Sequence, residues 1–386
     1  MTTDSLLDEA ADLPLVRGHF DAQFGAVARE FDRNLRERGE TGAAVCVYHR
    51  GRPVVDIAGG DYELDTIQVM RSTTKGLLGI LAHLLRQRGQ LDLDAPVSAL
   101  WPDFGQAGKA DITVRSVLSH QAGLPYLEEP ISVADALAWQ PAITALERQR
   151  PLWPSGTDHG YHDMTYGWLV GEILRRASGV RVGELVRREL AEPLGIDLWI
   201  GMPLRRMRGL RPVRAAEGGR RLNLMPESAS AADEARLAQT AANPDIRSWE
   251  HRPEYLAAEM PGSNGVGQAR GLAKLYAALI GEVDGVRLFD EQSLAEACAV
   301  RAAGPDRVVG WERRYATGFM LTDPTRPMAG EHTRSFGYYG QGGLLTFADP
   351  DSGLAFAYFT IQEQLHLGAD PRANEVARAA YDCAVA

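Results

Sequence analysis

The sequence predicts an α+β protein: an antiparallel sheet assembled from both chain ends and flanked by helices, with a mostly helical domain inserted between the two halves. Three observations point to it. Residues 42–59 read as a β-hairpin turning at Arg50-Gly51-Arg52, and strand signals return only at 315–321, 342–348 and 354–360. From Leu77 to about Leu279 the segments are mostly helical, broken by loops such as Trp101-Pro102-Asp103 and Trp153-Pro154-Ser155-Gly156. With 386 residues, 45% of them hydrophobic, the chain can fill a large core. The expected organisation is a sheet domain from 1–80 and 280–386, a helical domain from 81–279, and an active site in the cleft between them.

Taken in order, residues 19–38 carry helical periodicity and the 42–59 hairpin follows. The run Gly76-Leu77-Leu78-Gly79-Ile80-Leu81-Ala82-His83-Leu84-Leu85 is apolar nearly all round and reads as a buried helix, with Ser72 in its first turn. Residues 205–240, rich in Arg, Ala, Glu and Gly without periodicity, read as an irregular, mobile surface excursion. A helix over 371–383 closes the chain.

Composition removes several classes of function. Net charge is −10, and arginines are interspersed with Asp and Glu rather than gathered in one tract, which argues against nucleic acid. Cys46, Cys298 and Cys383 are odd in number and far apart, so they are expected to be reduced thiols, not a disulfide framework or a zinc site. The first ten residues are acidic where a signal peptide would be basic, and no apolar run approaches the roughly 18 residues of a membrane span. The expectation is a cytoplasmic protein with no membrane or cofactor partner. Oligomeric state is left open.

The chain has only three lysines, and one of them, Lys75, follows Ser72 by three positions in Met70-Arg71-Ser72-Thr73-Thr74-Lys75-Gly76. Arginine, the other cation, does not shed a proton at ordinary pH, so lysine alone can act as a base. Residues three apart share a helix face, which lays the Lys75 ammonium over the Ser72 hydroxyl, and unpaired N–H groups at the helix start point toward any oxyanion formed there. Burial among leucines is expected to lower the Lys75 pKa and make it a base for the serine. The competing use of Ser72 is a plain helix N-cap.

With Ser72-Thr73-Thr74-Lys75 in place, the chain resembles the serine β-lactamase and penicillin-binding-protein superfamily, in its class C-like branch that includes the family VIII carboxylesterases. The resemblance spans about residues 20–380. It rests further on Leu91-Asp92-Leu93-Asp94-Ala95-Pro96-Val97, on Ser119-His120-Gln121-Ala122-Gly123-Leu124-Pro125 within 112–125, and on Trp153-Pro154-Ser155-Gly156 leading into Tyr161-His162-Asp163-Met164-Thr165-Tyr166-Gly167. It implies a β-lactamase/transpeptidase-like fold. It also implies that Tyr161 is the second-motif tyrosine, its phenol acidified by Lys75, so that the two act as one base. His159 and His162 lack further partners at ligand spacing, so no metal is expected, and His162 is placed behind the tyrosine loop.

The family's third motif, usually Lys-Thr-Gly, matches Tyr338-Tyr339-Gly340 in Phe336-Gly337-Tyr338-Tyr339-Gly340-Gln341-Gly342-Gly343. A neutral tyrosine hydroxyl cannot supply the charge-assisted bond to a substrate carboxylate, which Arg334 is left to provide in part. Asp163 stands where lactamases usually carry a substrate-binding asparagine. The resemblance implies an oxyanion hole from the backbone N–H groups of Ser72 and Gln341, with Gly340, Gly342 and Gly343 letting substrate approach closely. Tyr338, Tyr339, Gly340, His162 and Asp163 complete the expected substrate-binding set.

The expected reaction is acyl transfer through Ser72, with hydrolysis of small esters leading. A cytoplasmic transacylase passing the acyl group to an amine or alcohol is the alternative, then an amide hydrolase of the β-lactamase or D-aminopeptidase type. A catalytically silent binding module would have no need for a lysine beside a serine.

Overall fold

A computed structural model describes residues 13, 15–215, 235, 243–330, 333–364, 366 and 369–386. The acidic first ten residues and most of the 205–240 stretch lie outside the described residues; within that stretch, Leu204–Gly209 is a 3-10 helix.

The strands, in chain order, are β1 Val16–Phe20, β2 Gly42–His49, β3 Arg52–Gly60, β4 Gln68–Val69, β5 Leu198–Trp199, β6 Val266–Gly267, β7 Ala302–Pro305, β8 Glu312–Tyr315, β9 Met320–Leu321, β10 Phe336–Gly340, β11 Leu344–Asp349 and β12 Leu354–Thr360. Nine of them form one antiparallel sheet in the order β1-β3-β2-β12-β11-β10-β9-β8-β7, and β4, β6 and β5 form a small second sheet. The two chain ends meet at the β2–β12 pair, in register from Ala43 opposite Thr360 to His49 opposite Leu354.

Five helices matter to the site: α1 Gly25–Glu37, α2 Thr74–Gln87, α3 Met164–Ser178, α4 Ala269–Ile280 and α5 Pro371–Val385. α1 and α5 pack on one face of the sheet, where the Tyr358 ring meets Phe31 edge-on at 6.2 Å. The neighbouring residues Ala357 and Cys46 point the other way, and there α4 lies against β2, β11 and β12, its Arg270 close enough to act on the Cys46 thiol. Helices on both faces explain why β2, β11 and β12 are buried along nearly their whole length and read as continuous apolar runs. All three cysteines are free. Among the described residues no helix is long and apolar enough to cross a membrane.

The strand signals read from the sequence do not include β1, β7, β10 or the short β4, β5 and β6, and two of the segments that are read take a different form. The 19–38 segment begins as strand β1, and its helix starts only at Gly25. The 315–321 signal is no single strand: β8 ends at Tyr315, the chain turns through residues 316–319, and β9 follows.

The turn at Gly318 is also the seat of α2. A Cβ on Gly79, in the middle of α2, would press into Gly318 O and lie 3.0 Å from Gly318 Cα, so the helix docks backbone to backbone. Gly79→Ala gains up to about 1 kcal/mol of helix propensity. It also forces apart two backbones that cannot rotate away, a cost of about 1–3 kcal/mol. We expect net destabilisation, read as a lower urea midpoint at unchanged slope; a variant as stable as its parent would show that the turn gives way freely.

Candidate active site

The turn that carries Ser72 is clamped before any chemistry is asked of it. Met70 N–H donates to Gly265 O at 2.7 Å, Thr73 Oγ1 to Met70 O at 2.7 Å, and Gly265 N–H to Thr74 Oγ1 at 3.0 Å. Residues Arg71–Thr73 form a 3-10 turn leading into α2, and no side chain caps either element, so Ser72 is not an N-cap. Its Oγ instead accepts from Tyr161 OH at 2.8 Å and from Lys75 Nζ at 3.2 Å.

Lys75 is fully buried, and its ammonium finds two further acceptors, Gly262 O at 2.9 Å and Asp163 Oδ1 at 3.3 Å. Burial alone would lower the Lys75 pKa, as the sequence suggested. Tyr161 and Asp163 beside it outweigh that effect and hold the pKa above the ordinary lysine value. Burial likewise raises the Tyr161 phenol, with the Lys75 charge opposing it. The lowered pKa expected on both groups is not what their surroundings favour: each is pushed above its ordinary value.

Tyr161 is held by groups around its loop. Its N–H donates to Asp306 Oδ1 at 3.0 Å, and the His162 N–H donates to His120 Nδ1 at 3.0 Å. His120, in the left-handed region at φ 60°, lays its ring 5.2 Å from that of Tyr161. With Nδ1 accepting, its proton sits on Nε2, which is 3.3 Å from Tyr338 OH. His162 donates from Nδ1 to Gly160 O at 2.7 Å and accepts at Nε2 from Leu124 N–H at 3.0 Å. Burial pushes His120 well down and His162 to about 4, so both stay neutral.

Beside Ser72 opens a cavity of about 420 Å³, lined among others by Arg71, Asp163, Met164, Tyr255 and Gln341. Several residues expected to touch substrate are elsewhere. Tyr338 is fully buried against His120, and Tyr339 points to the opposite side, where its hydroxyl donates to Pro327 O at 3.1 Å and accepts from Asn374 Nδ2 at 3.1 Å. His162 is likewise fully buried, its two ring nitrogens spent on joining loops. A Cβ on Gly340 would lie 3.0 Å from Met70 O and 3.3 Å from Thr73 Cγ2, so this glycine admits the nucleophile turn, not substrate. Gly342 and Gly343 similarly face Arg71 and Arg372. Arg334 is exposed, paired with Asp351 at 3.0 Å, and lies two residues before β10, at the end of that strand away from Gly340.

Sequence reasoning missed the cation that does reach the cavity. Arg71 donates to both carboxylate oxygens of Glu250, at 2.6 and 2.9 Å, to Glu363 Oε1 at 3.2 Å and to Gln341 O at 2.8 Å. Its place next to Ser72 was the available signal, but its partners are 179 and 292 residues away. Among the described residues no three His, Cys, Asp or Glu side chains are grouped to hold a metal ion.

Residues 27–381 match the family described as Beta-lactamase. The chain belongs to the beta-lactamase family. It is 33% identical over 368 residues to Esterase/beta-lactamase LipL of Mycobacterium tuberculosis (strain ATCC 25618 / H37Rv), covering 89% of this chain and 82% of that protein. Among solved structures it resembles a penicillin-binding protein homolog from Caulobacter crescentus, 33% identical, and a family VIII carboxylesterase, 30% identical. Each superposes with a TM-score of 0.86 over 95% of this chain and 99% of the other. The fold is thus β-lactamase-like, with the large antiparallel sheet expected from the sequence.

The Asp163 carboxylate beside Lys75 sets a testable pH dependence. Activity that needs the Lys75–Tyr161 pair to lose a proton rises with pH through the pair's apparent pKa. Asp163→Asn removes a charge that raises the Lys75 pKa, so the rising limb of kcat/KM should move to lower pH. A limb that stays in place or moves to higher pH would show that Asp163 does not govern the pair.

Proposed function

We propose that the protein hydrolyses small, uncharged esters through an acyl-enzyme on Ser72. The observation that carries this is the convergence of Tyr161 OH and Lys75 Nζ on one serine oxygen at the mouth of a cavity. The family supports a serine hydrolase, and the esterase names of a relative and a solved neighbour support ester over amide or acceptor chemistry.

In the proposed cycle the Tyr161–Lys75 pair first gives up one proton to solvent; Ser72 Oγ then attacks the ester carbonyl carbon as its own proton passes to the pair. The carbonyl oxygen becomes an oxyanion facing the N–H groups of Ser72 and Gln341. The carbon–oxygen bond to the alcohol then breaks, and the pair returns the proton to the leaving oxygen. Water repeats the sequence on the acyl-enzyme: it gives a proton to the pair, and Ser72 leaves with one. No cofactor enters the cycle. The cleft would lie between the expected sheet domain, 1–80 with 280–386, and the helical domain, 81–279.

Intact mass after incubation with a fluorophosphonate, alongside turnover of p-nitrophenyl esters of graded acyl length, tests the reading. Ser72→Ala should abolish both labelling and turnover. Lys75→Arg keeps the charge but not the removable proton, and Tyr161→Phe keeps the ring but not the oxygen. Each should lower kcat by about 10³ in a protein whose circular dichroism is unchanged. Near-normal rates in either variant would refute its assignment.

Substrate charge is a second expectation. Arg71 is spent on two carboxylates and a carbonyl, and the Tyr338 hydroxyl is buried, so no lysine or arginine described in the cavity lining offers a free cation to a carboxylate, and only the imidazole of His251 is left there. Short neutral esters should outpace analogues carrying a free carboxylate by about 10- to 100-fold in kcat/KM, from loss of a charge-assisted bond of about 1.5–3 kcal/mol. Benzylpenicillin should be a poor substrate. Penicillin hydrolysis matching the best ester would sink this preference.

A further inference from the structure

We infer that Arg71 and Arg372 are positioning residues for the oxyanion site, each gripping one carbonyl of the loop that carries Gln341. This rests on the proposed acyl-enzyme reading, because it concerns where that reading's Gln341 N–H points.

The loop Gln341-Gly342-Gly343 joins β10 to β11 and has little stiffness of its own. Gly342 and Gly343 have φ of 91° and 116°, and the turn's internal bond, Gly343 N–H to Gly340 O, is long at 3.4 Å. Two adjacent glycines have the greatest backbone freedom to lose. What holds them is external. Arg71 Nη1 donates to Gln341 O at 2.8 Å, and Arg372 Nη2 donates to Gly342 O at 2.9 Å. Two successive carbonyls are each bound by a guanidinium.

The glycines themselves reflect this grip. A Cβ at 342 would lie 2.8 Å from Arg71 Nη1, and a Cβ at 343 would lie 2.6 Å from Arg372 Nη2 and 2.6 Å from Asp370 Oδ2. Only residues without side chains let the two arginines reach the backbone.

Each arginine is in turn immobilised. Arg71 is held by Glu250 and Glu363, and Glu363 Oε1 also accepts from the Gln341 side chain at 2.9 Å. Arg372, fully buried, is held by Asp370 Oδ2 at 2.7 Å and Glu40 Oε2 at 3.0 Å. With carboxylates beside both guanidiniums, little net positive field is left for an oxyanion. What the arginines contribute is placement. Arg71 adds a further constraint: it precedes the nucleophile, so its bond to Gln341 O ties the Ser72 turn to the strand end opposite and makes the two donors of the oxyanion site move together.

The test compares p-nitrophenyl acetate with its thiono analogue, in which sulfur replaces the carbonyl oxygen. Sulfur is a poor hydrogen-bond acceptor, so the preference for the oxoester reports oxyanion donors, and a merely structural lesion lowers both rates alike. Arg71→Lys keeps the charge opposite Glu250 and Glu363 but loses the fork, and Arg71→Met loses the donors. We expect kcat on the oxoester to fall about 10-fold and about 100-fold respectively. KM should stay within about threefold and the oxo-to-thiono ratio should drop by about the same factors as kcat. Arg372→Lys should follow if it folds; if it does not, the Arg71 pair decides. Unchanged rates, or equal losses on both substrates, would overturn the inference while fluorophosphonate labelling of Ser72 left the esterase reading standing. Failure of the parent protein to label would overturn both.

Discussion

Burying the ammonium of Lys75 is the constraint around which the site is arranged. An unpaired charge out of water costs several kcal/mol even after relaxation, so every donor of this fully buried side chain must find an acceptor. The acceptors come from separate parts of the chain: Ser72 one turn earlier, Gly262 O from the loop before β6, and Asp163 just before α3. Bringing them together requires α3 to approach that loop almost backbone to backbone, and a Cβ on Gly167 would lie 2.9 Å from Gly262 Cα. The same loop supplies Gly265, whose carbonyl and N–H clamp Met70 and Thr74 on either side of the serine. Pairing one charge therefore fixes the relative position of α2, α3 and the turn that presents the nucleophile.

Much of the fold was legible in the sequence, and the exceptions have physical causes. Strands covered on both faces, such as β12, advertise themselves as apolar runs, and so does the all-round apolar α2. β1 is an edge strand exposed at its three central residues, and β8 has the sequence Glu-Arg-Arg-Tyr; neither carries an alternation to read. At the site, the spacing of Ser72 and Lys75 and the loop around Tyr161 identify groups that the fold brings within hydrogen-bond reach. Of the expected substrate-contact set Asp163 lines the cavity, whereas Tyr338 and Tyr339 are successive strand residues that face opposite ways and could not both have faced one cleft. In the event Tyr338 is committed to His120, and Tyr339 to Pro327 and Asn374.

The charge balance of the cavity was hidden for a related reason. Its arginine is adjacent to the nucleophile in sequence, yet what decides its chemistry is Glu250 and Glu363, which arrive from distant segments. A guanidinium with its donors on carboxylates and a carbonyl no longer acts as an anion receptor; it acts as a strut. The same holds for Arg372 behind the loop, where its buried ion pairs with Glu40 and Asp370 meet the end of β10. Arginine thus serves placement at two points, beside the nucleophile and behind the loop after β10.

Stability and basicity oppose each other at the Lys75 nitrogen. Asp163 and Gly262 make its charge tolerable in the interior, and by doing so they hold the proton that a base must lose. Under the proposed assignment Tyr161 relieves the conflict. Its oxygen is nearer the serine, 2.8 Å against 3.2 Å, so it is the better placed to receive the Ser72 proton. The ammonium 4.9 Å from its ring centroid favours the phenolate that accepts it. Burial acts against that phenolate, and the Lys75 charge acts for it, so the proton inventory belongs to the pair and not to either residue. The positive charge whose pairing positions the elements of the site is then the charge that makes the tyrosine reactive, and lysine need never become neutral while the serine is being attacked.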